Sequence, residues 1–448
     1  MPTIDAHPTE WHILQVFQHL GLTQAHVAAR IAADWQGLAT GHPKALASLL
    51  LICPRGMDPG ALASVSARLG VIAGEYGRAT DTLRRVMARF PEATLTTLRG
   101  YDHPTPYADI AVDCTETLST AMLAFLAQRA HQHPLPPVAL AEGEGDVGDI
   151  MYRVRGAGPP LVLLPLSVAP SQWDPILPEL SQRYCVITLS GAALGMVASL
   201  EARGHTAGYL RVVGNLLDAA RVQPGDVVLE VGCGTGVLDR WMAHRMAGAN
   251  HIVAVDVNRF LLREAAALAR KEGLAPLIEF REGSAEALPL PDDAIDVAMS
   301  STVIQRVDAD RMVAEMTRVT KPGGRVAIVG HAHDMPQWVN LPLPPVLKAR
   351  IEAPGWHDAE AYPLGCDESS LYQRMHQAGL TQVQMFPQFA AFDDASRLQQ
   401  MQASLLPTLG PEDTQVWQTA LAQAEAAGTF FVATPFHCAV GTKRAASC

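Results

Sequence analysis

The most informative stretch of the chain is VVLEVGCGTGVLDRW, residues 227–241. Five residues that suit a buried strand run into Gly232, Gly234 and Gly236, and a segment with helical spacing follows. Glycine costs backbone entropy, so alternating glycines at the end of a strand need a reason in packing or in ligand binding. Because they lack a Cβ atom, they allow a tight turn whose backbone approaches a ligand closely. We therefore expect a ligand site at this turn.

Strand and helix signals alternate on both sides of this turn. Short apolar runs predict strands, and segments with helical spacing separate them. Such alternation predicts an α/β fold with parallel strands, helices on both faces, and ligands beyond the carboxyl ends of the strands. The predicted parallel strands are 227–231, 251–257, 277–283, 294–300 and 324–330. A final antiparallel pair is predicted at 383–389 and 429–442, with a helix from about 393 to 427 between them.

An acidic residue at the end of the second predicted strand narrows the ligand to a nucleoside. Asp256 follows Gly236 by 20 residues, and a carboxylate at that place accepts hydrogen bonds from both hydroxyls of a ribose. The dinucleotide fingerprint GxGxxG would need glycine at position 237, which is Val237. With no diphosphate to hold, the site suits a nucleoside that carries an amino-acid tail.

Residues 209–330 resemble the class I S-adenosylmethionine-dependent methyltransferases, in the branch of the ubiquinone and menaquinone biosynthesis enzymes. The resemblance rests on EVGCGTG and on three later motifs in the same order: VDVN at 255–258, GSAEALPLPDDAIDVAMSS at 283–301 and EMTRVTKPGGRVAIVG at 315–330. It implies a Rossmann-like sheet, S-adenosylmethionine as cofactor and methyl transfer to a small organic acceptor. The alternative is a non-catalytic cofactor-binding or regulatory protein in which both domains have lost their chemistry.

The same resemblance implies roles for individual residues. The cofactor-binding residues would be Glu230, Gly232, Gly234, Gly236, Asp256, Val257, Ser284, Ala285 and Ser300. Glu230 would support the turn, and the three glycines would lie under the methionine portion. Asp256 would hold the ribose, and Val257 would pack on the adenine. Ser284 and Ala285 would meet the adenine edge, and Ser300 would approach the methionine tail. The family usually has aspartate in place of Ser284. The partner of the adenine amino group therefore stays open between the Ala285 backbone, Glu286 and water.

The segment 331–362, which we call the lid segment, follows the fifth predicted strand at the place of a substrate lid, although a proline-rich surface excursion would look the same. Methyl transfer is an in-line displacement, so the protein aligns the acceptor and removes a proton from a hydroxyl or a carbon acid. His331 and His333 are the candidate bases, whereas a sulfur, nitrogen or ionised acceptor needs none. With His357 and Asp334 they match no standard ligand spacing, so we predict no metal.

The N-terminal part resembles α/β-hydrolases with the two halves in permuted order. Residues 20–54 resemble the nucleophile-elbow strand, its helix and the next strand. Residues 93–128 resemble the last strand, the histidine loop and the final helix, and residues 151–189 resemble the opening strands. The fold class predicted for the whole chain is therefore α/β, with a Rossmann-like methyltransferase sheet and an N-terminal α/β-hydrolase-like domain.

The chemistry of a hydrolase is missing from this part. No GxSxG elbow occurs in the chain, and Ile31 stands where the serine is expected. His103, in the place of the hydrolase histidine, is then a vestige, unless an unrecognised nucleophile serves an active hydrolase. The domain would instead shield the methyltransferase site, bind part of the substrate or mediate association, for example into a homodimer.

Length and charge set the remaining expectations. A chain of 448 residues predicts two domains, 1–195 with a linker at about 131–148, and 200–448, joined near 195–208. With 34 basic and 45 acidic residues, the net charge of -11 favours a small-molecule substrate and argues against nucleic acid or an anionic membrane as a partner. The seven cysteines form no CxxC pair, and no signal or membrane-spanning stretch is evident, so we expect a cytoplasmic protein.

Overall fold

A computed structural model describes residues 8–54, 56–102, 109–354, 363–392, 401–402 and 405–445. The chain forms two compact units, Met1–Ser199 and Leu200–Cys448. The stretch 195–208, where we expect the two domains to join, is largely helical, since a helix runs from Gly195 to His205. Among the described residues, no helix is both long enough and apolar enough to cross a membrane.

The first unit contains one sheet of eight strands in the order β4-β3-β2-β1-β7-β8-β6-β5. Neighbouring strands are parallel except for the pairs β5–β6 and β6–β8. The strands are β1 (Ala25–Ala29), β2 (Leu46–Ile52), β3 (Leu69–Tyr76), β4 (Thr94–Asp102), β5 (Gly143–Val147), β6 (Ile150–Arg155), β7 (Pro160–Leu163) and β8 (Cys185–Gly191). The helices are α1 (Thr9–His19), α2 (Ala32–Gly41), α3 (Pro59–Leu62), α4 (Arg78–Met87), α5 (Ile110–Asp113), α6 (Thr115–Gln132) and α7 (Leu177–Leu180).

The central strands of this sheet are buried along almost their whole length. Apolar clusters lie on both faces of the sheet, one against α1 and α2 and one against α6. A parallel strand covered on both faces reads as an unbroken apolar run, which is why LASLLLI and LVLL lack the alternation of a half-exposed strand.

The stretch predicted as a linker, about 131–148, ends in strand β5. This strand pairs with β6 on one side only, and most of its residues are partly or fully exposed. An exposed edge strand needs no apolar face, so neither its glycines nor its acids gave a strand signal. Gly145 faces the ring of Tyr152 across the pair, where a Cβ atom would collide with that ring.

The second unit contains a nine-stranded sheet in the order β11-β10-β9-β12-β13-β17-β14, with β15 and β16 also paired to β17. Its strands are β9 (Val227–Val231), β10 (His251–Asp256), β11 (Ile278–Glu282), β12 (Ile295–Ser301), β13 (Thr320–His331), β14 (Trp338–Val339), β15 (Leu380–Met385), β16 (Gln388–Phe392) and β17 (Val432–Lys443). Helix α8 (Gly195–His205) begins before the boundary at Leu200 and ends within the second unit. The further helices of the second unit are α9 (Ala207–Ala220), α10 (Val237–Arg245), α11 (Arg259–Lys271), α12 (Ala309–Val319), α13 (Pro345–Glu352), α14 (Leu371–Gln377) and α15 (Pro411–Ala426).

The order of these strands fixes where a ligand binds. From β9 the chain adds β10 and β11 on one side, and β12 and β13 on the other, all parallel. The switch point of the sheet therefore lies at the carboxyl ends of β9 and β12. Helices α11 and α12 follow the carboxyl ends of β10 and β12. Asn258 and Asp308 cap these helices by accepting hydrogen bonds from backbone N–H groups.

The strand predicted at 383–389 is two strands. Pro387 lies between β15 and β16, and proline has no N–H group for a ladder hydrogen bond. Both pieces pair antiparallel with β17, which itself pairs antiparallel with β13. The helix predicted from about 393 to 427 is represented by α15, and residues 393–400 lie outside the described residues.

Candidate active site

The glycine turn after β9 is shaped by backbone conformation and by lack of space. Gly232, Gly234 and Gly236 all have positive φ, at 78°, 57° and 69°. A Cβ atom on Gly232 would overlap the Val303 side chain, and one on Gly236 would lie 2.9 Å from the ring of Phe280. Both the conformation and the contacts therefore require glycine at the first and third positions.

Asp256 ends β10 beside this turn. One of its carboxylate oxygens accepts a hydrogen bond from the Gly234 N–H at 2.8 Å, and the other accepts one from the Asn258 N–H at 2.8 Å. Burial raises the pKa of Asp256, although these backbone N–H groups act to lower it. The next side chain, Val257, is 72% exposed, so an open apolar surface lies directly beside the carboxylate.

The segment after β11 lies next to Asp256. The Gly283 N–H donates to the Asp256 carbonyl at 3.0 Å, which brings Ser284 and Ala285 to this end of the sheet. The Ser284 hydroxyl accepts the Glu286 N–H at 3.1 Å. The Glu286 carboxylate in turn accepts the backbone N–H at the start of α12, so it is already engaged in holding that loop.

Ser300, which the resemblance places near the methionine tail, lies close to the carboxyl end of β12. Its side chain is fully buried, and its hydroxyl donates to the Val231 carbonyl at 2.8 Å. The only proton of this hydroxyl is thus used inside the sheet, where it joins β12 to β9. The Ser300 hydroxyl could therefore only accept a hydrogen bond from a ligand.

A polar cluster at the end of β12 was not found from the sequence. The Tyr209 hydroxyl lies 2.7 Å from the Ser301 hydroxyl, and both side chains are buried. Arg203 donates to the Thr302 hydroxyl at 3.0 Å and lies over the Tyr209 ring, 5.0 Å from its centroid. Thr302 has a φ of 58°, which is unusual for a β-branched residue. Helices α8 and α9 supply this cluster from outside the recognised motifs.

Two buried carboxyl groups lie beneath the glycine turn. Glu230, at the end of β9, is 2% exposed, and Asp239, in the first turn of α10, is fully buried. Burial and the neighbouring Asp239 raise the pKa of Glu230 well above its usual range. Burial raises the pKa of Asp239 to about 7. Asp239 lies within the stretch 227–241. The feature that could have singled it out is an acidic residue in a helix turn whose other residues are buried.

The two histidines predicted as candidate bases meet at the end of β13. The rings of His331 and His333 stack with centroids 5.4 Å apart, and His331 also contacts the ring of Phe436 at 5.0 Å. His333 Nδ1 lies 2.9 Å from a carboxylate oxygen of Asp367. No sequence pattern pointed to Asp367, because this partner lies 34 residues further along the chain.

A second histidine–aspartate pair lies in the same region. His437 Nε2, from β17, is 2.6 Å from a carboxylate oxygen of Asp334, and the other oxygen accepts the Ser369 N–H at 3.0 Å. Although burial acts to raise it, the His437 contact leaves the pKa of Asp334 below its usual range. No trio of metal-binding side chains comes together in the described ranges. Three other aromatic or histidine residues of the lid segment lie outside the described residues: Trp356, His357 and Tyr362.

In the first unit, helix α2 begins with ordinary backbone geometry at the position that the resemblance to hydrolases assigns to the serine. Ile31 caps α2 with a φ of −86°, so the backbone is not in the strained left-handed region. The preceding Arg30 is 2% exposed and donates to the Ser167 hydroxyl at 2.7 Å and to the Cys53 carbonyl at 3.2 Å. His103 lies outside the described residues.

Comparison with known proteins identifies the second unit. Residues 229–328 match the family described as "Methyltransferase domain". The chain is 31% identical over 175 residues to the ubiquinone/menaquinone biosynthesis C-methyltransferase of Hahella chejuensis, covering 37% of this chain and 70% of that one. The Vibrio campbellii enzyme of the same name is 32% identical over 114 residues, covering 25% of this chain and 44% of its own.

Among solved structures, the YcgJ protein of Bacillus subtilis aligns with 53% of this chain and 100% of its own, at 20% identity and a TM-score of 0.35. The assignment does not depend on that likeness, since the sequence relatives carry it. The motifs of the second unit and the match to 70% of the Hahella enzyme agree in the reaction type, which is methyl transfer. The chain belongs to the class I S-adenosylmethionine-dependent methyltransferases, and its cofactor is S-adenosylmethionine.

Proposed function

We propose that this methyltransferase acts on a small organic acceptor from which His333 removes a proton. The observation that carries the proposal is the 2.9 Å contact between His333 Nδ1 and Asp367 at the carboxyl end of β13. An aspartate that accepts the Nδ1–H bond fixes the tautomer, so Nε2 is the nitrogen that takes a proton. The His333 side chain is 25% exposed, which leaves it accessible to an acceptor.

The residues at the switch point fit the cofactor. The glycine turn leaves room for close backbone approach, because side chains there would meet Val303 and Phe280. Each Asp256 oxygen accepts one backbone bond and retains a lone pair for a ribose hydroxyl. The buried acids Glu230 and Asp239 suit the positive charge of the methionine portion. We assign the ribose to Asp256, the adenine to Val257, Ser284 and Ala285, and the methionine portion to the glycines and Glu230.

Once bound, S-adenosylmethionine supplies a methyl group on a positively charged sulfur that is already a good leaving group. The remaining work of the protein is to align the acceptor and to take up its proton. His331, which stacks on His333, holds that ring in place. Asp367 stabilises the imidazolium that forms when His333 gains the proton.

A base of this kind favours an acceptor whose reactive atom must first be deprotonated. Both sequence relatives are C-methyltransferases by name. A carbon acid, a phenol or an enol needs a base, whereas a thiolate or an amine does not. We therefore propose an activated carbon or a hydroxyl group of a small organic molecule as the methylated atom.

Transfer of label from tritiated S-adenosylmethionine tests the proposal against a fractionated extract of small metabolites. Wild-type protein should produce a labelled small molecule. The same preparation with His333→Gln or Asp367→Asn should bind the cofactor as before and transfer label far more slowly. His376→Gln, an exposed histidine on α14, is the matched control and should leave the rate unchanged. Cofactor binding without any labelled product would favour the non-catalytic alternative.

For the first unit we propose a permuted α/β-hydrolase-like domain without hydrolase activity. Two observations support it. The strands of 143–191 continue the sheet from β1 outward, so placing that segment before 25–102 would give a sheet that runs across almost in chain order. The start of α2 after β1 has no strained residue and no serine, and the buried Arg30 guanidinium lies there instead.

Activated esters and a serine-reactive fluorophosphonate test whether the first unit lacks hydrolase activity. We expect no ester hydrolysis above the background rate and no covalent label. Labelling of a residue in the first unit would contradict it, because a nucleophile would then exist outside the expected elbow.

A further inference from the structure

Glu230 and Asp239 face each other beneath the glycine turn. Both side chains are buried, and each carboxyl group is close enough to act on the pKa of the other. In the described part of the chain, neither Asp239 oxygen nor the Glu230 Oε2 atom has a hydrogen-bond donor in good geometry. Two ionised carboxylates buried side by side repel strongly, so a buried pair without donors keeps a proton between them.

The charged groups around the pair do not replace the proton between the two carboxyl groups. Arg203, from α8, acts on Glu230 but is hydrogen-bonded to Thr302 and lies over an aromatic ring. Arg240, from α10, acts on Asp239, yet its guanidinium is paired with Glu201 and Glu272 and donates to a backbone carbonyl. Asp256, from β10, adds negative charge, and the Cys233 thiol in the turn has its pKa raised well above the usual range by burial and by these acids.

We infer that Glu230 and Asp239 share one proton in the cofactor-free protein and release it to solvent when the positively charged methionine portion binds at the glycine turn. The ligand then supplies the positive charge that the pair lacks, and the pair becomes fully ionised. The inference rests on the proposed place of the cofactor. It adds a second role for the turn, since Asp239 makes cofactor binding depend on pH.

The direction of the pH dependence follows from the proton count. Below the titration of the pair, binding must expel a proton, so affinity should rise about tenfold per pH unit. Above it, the pair is already ionised and affinity should level off. For the cofactor-free protein, a buried Asp239 with a raised pKa favours the folded state at low pH. That contribution to stability is lost as the pH rises from about 4 through about 7.

Isothermal titration calorimetry with S-adenosylmethionine, in the absence of an acceptor, tests the inference. Titrations in phosphate and in Tris, which differ in heat of ionisation, give the number of protons released per ligand bound. Wild-type protein should release about half a proton more than Asp239→Asn at about pH 7, because a group with a pKa of about 7 is half protonated there. The affinity of Asp239→Asn should stay flat between about pH 5 and about pH 7. Proton changes on the ligand cancel in this difference, because both proteins bind the same molecule.

Asp34→Asn is the matched control, because burial also raises the pKa of Asp34, on α2 of the first unit, to about 7. It should release the same number of protons as wild type. Equal proton counts in wild type and Asp239→Asn would overturn the inference, and so would a count that changes in Asp34→Asn instead. Absence of ligand binding to wild type would refute the proposed function itself.

A second measurement needs no ligand. The thermal midpoint of cofactor-free wild type should fall relative to Asp239→Asn as the pH rises toward 8, because only wild type must ionise a buried pair. Parallel midpoints across this range would contradict a shared proton.

Discussion

Replacing Asp256 by alanine tests the cofactor site where its geometry is best defined. In the structure the two carboxylate oxygens of Asp256 accept hydrogen bonds from the Gly234 and Asn258 N–H groups, each at 2.8 Å. Each oxygen keeps one lone pair, so two ribose hydroxyls would complete its hydrogen bonding. A hydrogen bond to a charged group contributes about 1.5–3 kcal/mol.

Because the freed ribose hydroxyls regain water in the variant, we expect a total loss near that of a single charged bond rather than two. Asp256→Ala should weaken cofactor binding by about 1.5–3 kcal/mol, or about ten- to 150-fold in Kd. Asp256→Asn retains one carbonyl acceptor and should lose less. Titration calorimetry with S-adenosylhomocysteine measures both variants.

The turn itself also depends on this carboxylate, since two backbone N–H groups lose their acceptor in Asp256→Ala. Circular dichroism must therefore show that the variant is folded before its affinity is compared. Asp218→Ala is the control, because it removes an exposed aspartate paired with Arg245 in the same unit. Its affinity should equal that of wild type. An unchanged Kd in folded Asp256→Ala would refute the assignment of the ribose to this residue.

Further predictions concern other parts of the chain. Gly232→Ala should lower the unfolding midpoint and abolish cofactor binding, while Gly234→Ala, which has similar backbone strain but a nearest contact of 3.4 Å, should be milder in both assays. His333→Gln should lower kcat by about 10²–10⁴-fold with an unchanged cofactor Kd, and a loss confined to cofactor binding would contradict its role as base. Arg240→Met should cost about 3–5 kcal/mol in urea unfolding, because it leaves a buried carboxylate unpaired, and a cost under about 1 kcal/mol would show that the pair is dispensable. His103→Ala should leave methyl transfer within a few-fold of wild type, whereas a large loss in the folded variant would place this histidine in the acceptor site.

The alternation of apolar runs was sufficient to predict the parallel half of the second sheet. All five predicted strands from 227 to 330 have counterparts, because a strand buried on both faces has a clear sequence signal. The edge strand β5 and the break at Pro387 had no such signal. Strand β5 depends on pairing with a single neighbouring strand, and the break at Pro387 depends on the local loss of one N–H group.

The candidate site was only partly visible in the sequence, because motifs describe residues that are near in the chain. Asp256 and the glycines fall within a few positions of each other and of their strand ends. Asp367 and Asp334 meet their histidines only through the sheet, across 34 and 103 residues. Asp239 lies in the same stretch as the glycines, but no role was predicted for it. Its burial against Glu230 depends on how α10 packs on β9, which the sequence does not display.

A crystal structure of the full chain with S-adenosylhomocysteine tests the central claim most directly. The account predicts both ribose hydroxyls within about 3 Å of the Asp256 carboxylate and the amino-acid portion over Gly232 and Gly234. It also predicts the ligand sulfur on the side of the turn that faces His333. A nucleoside bound elsewhere, with Asp256 still bonded only to the backbone N–H groups of Gly234 and Asn258, would contradict it.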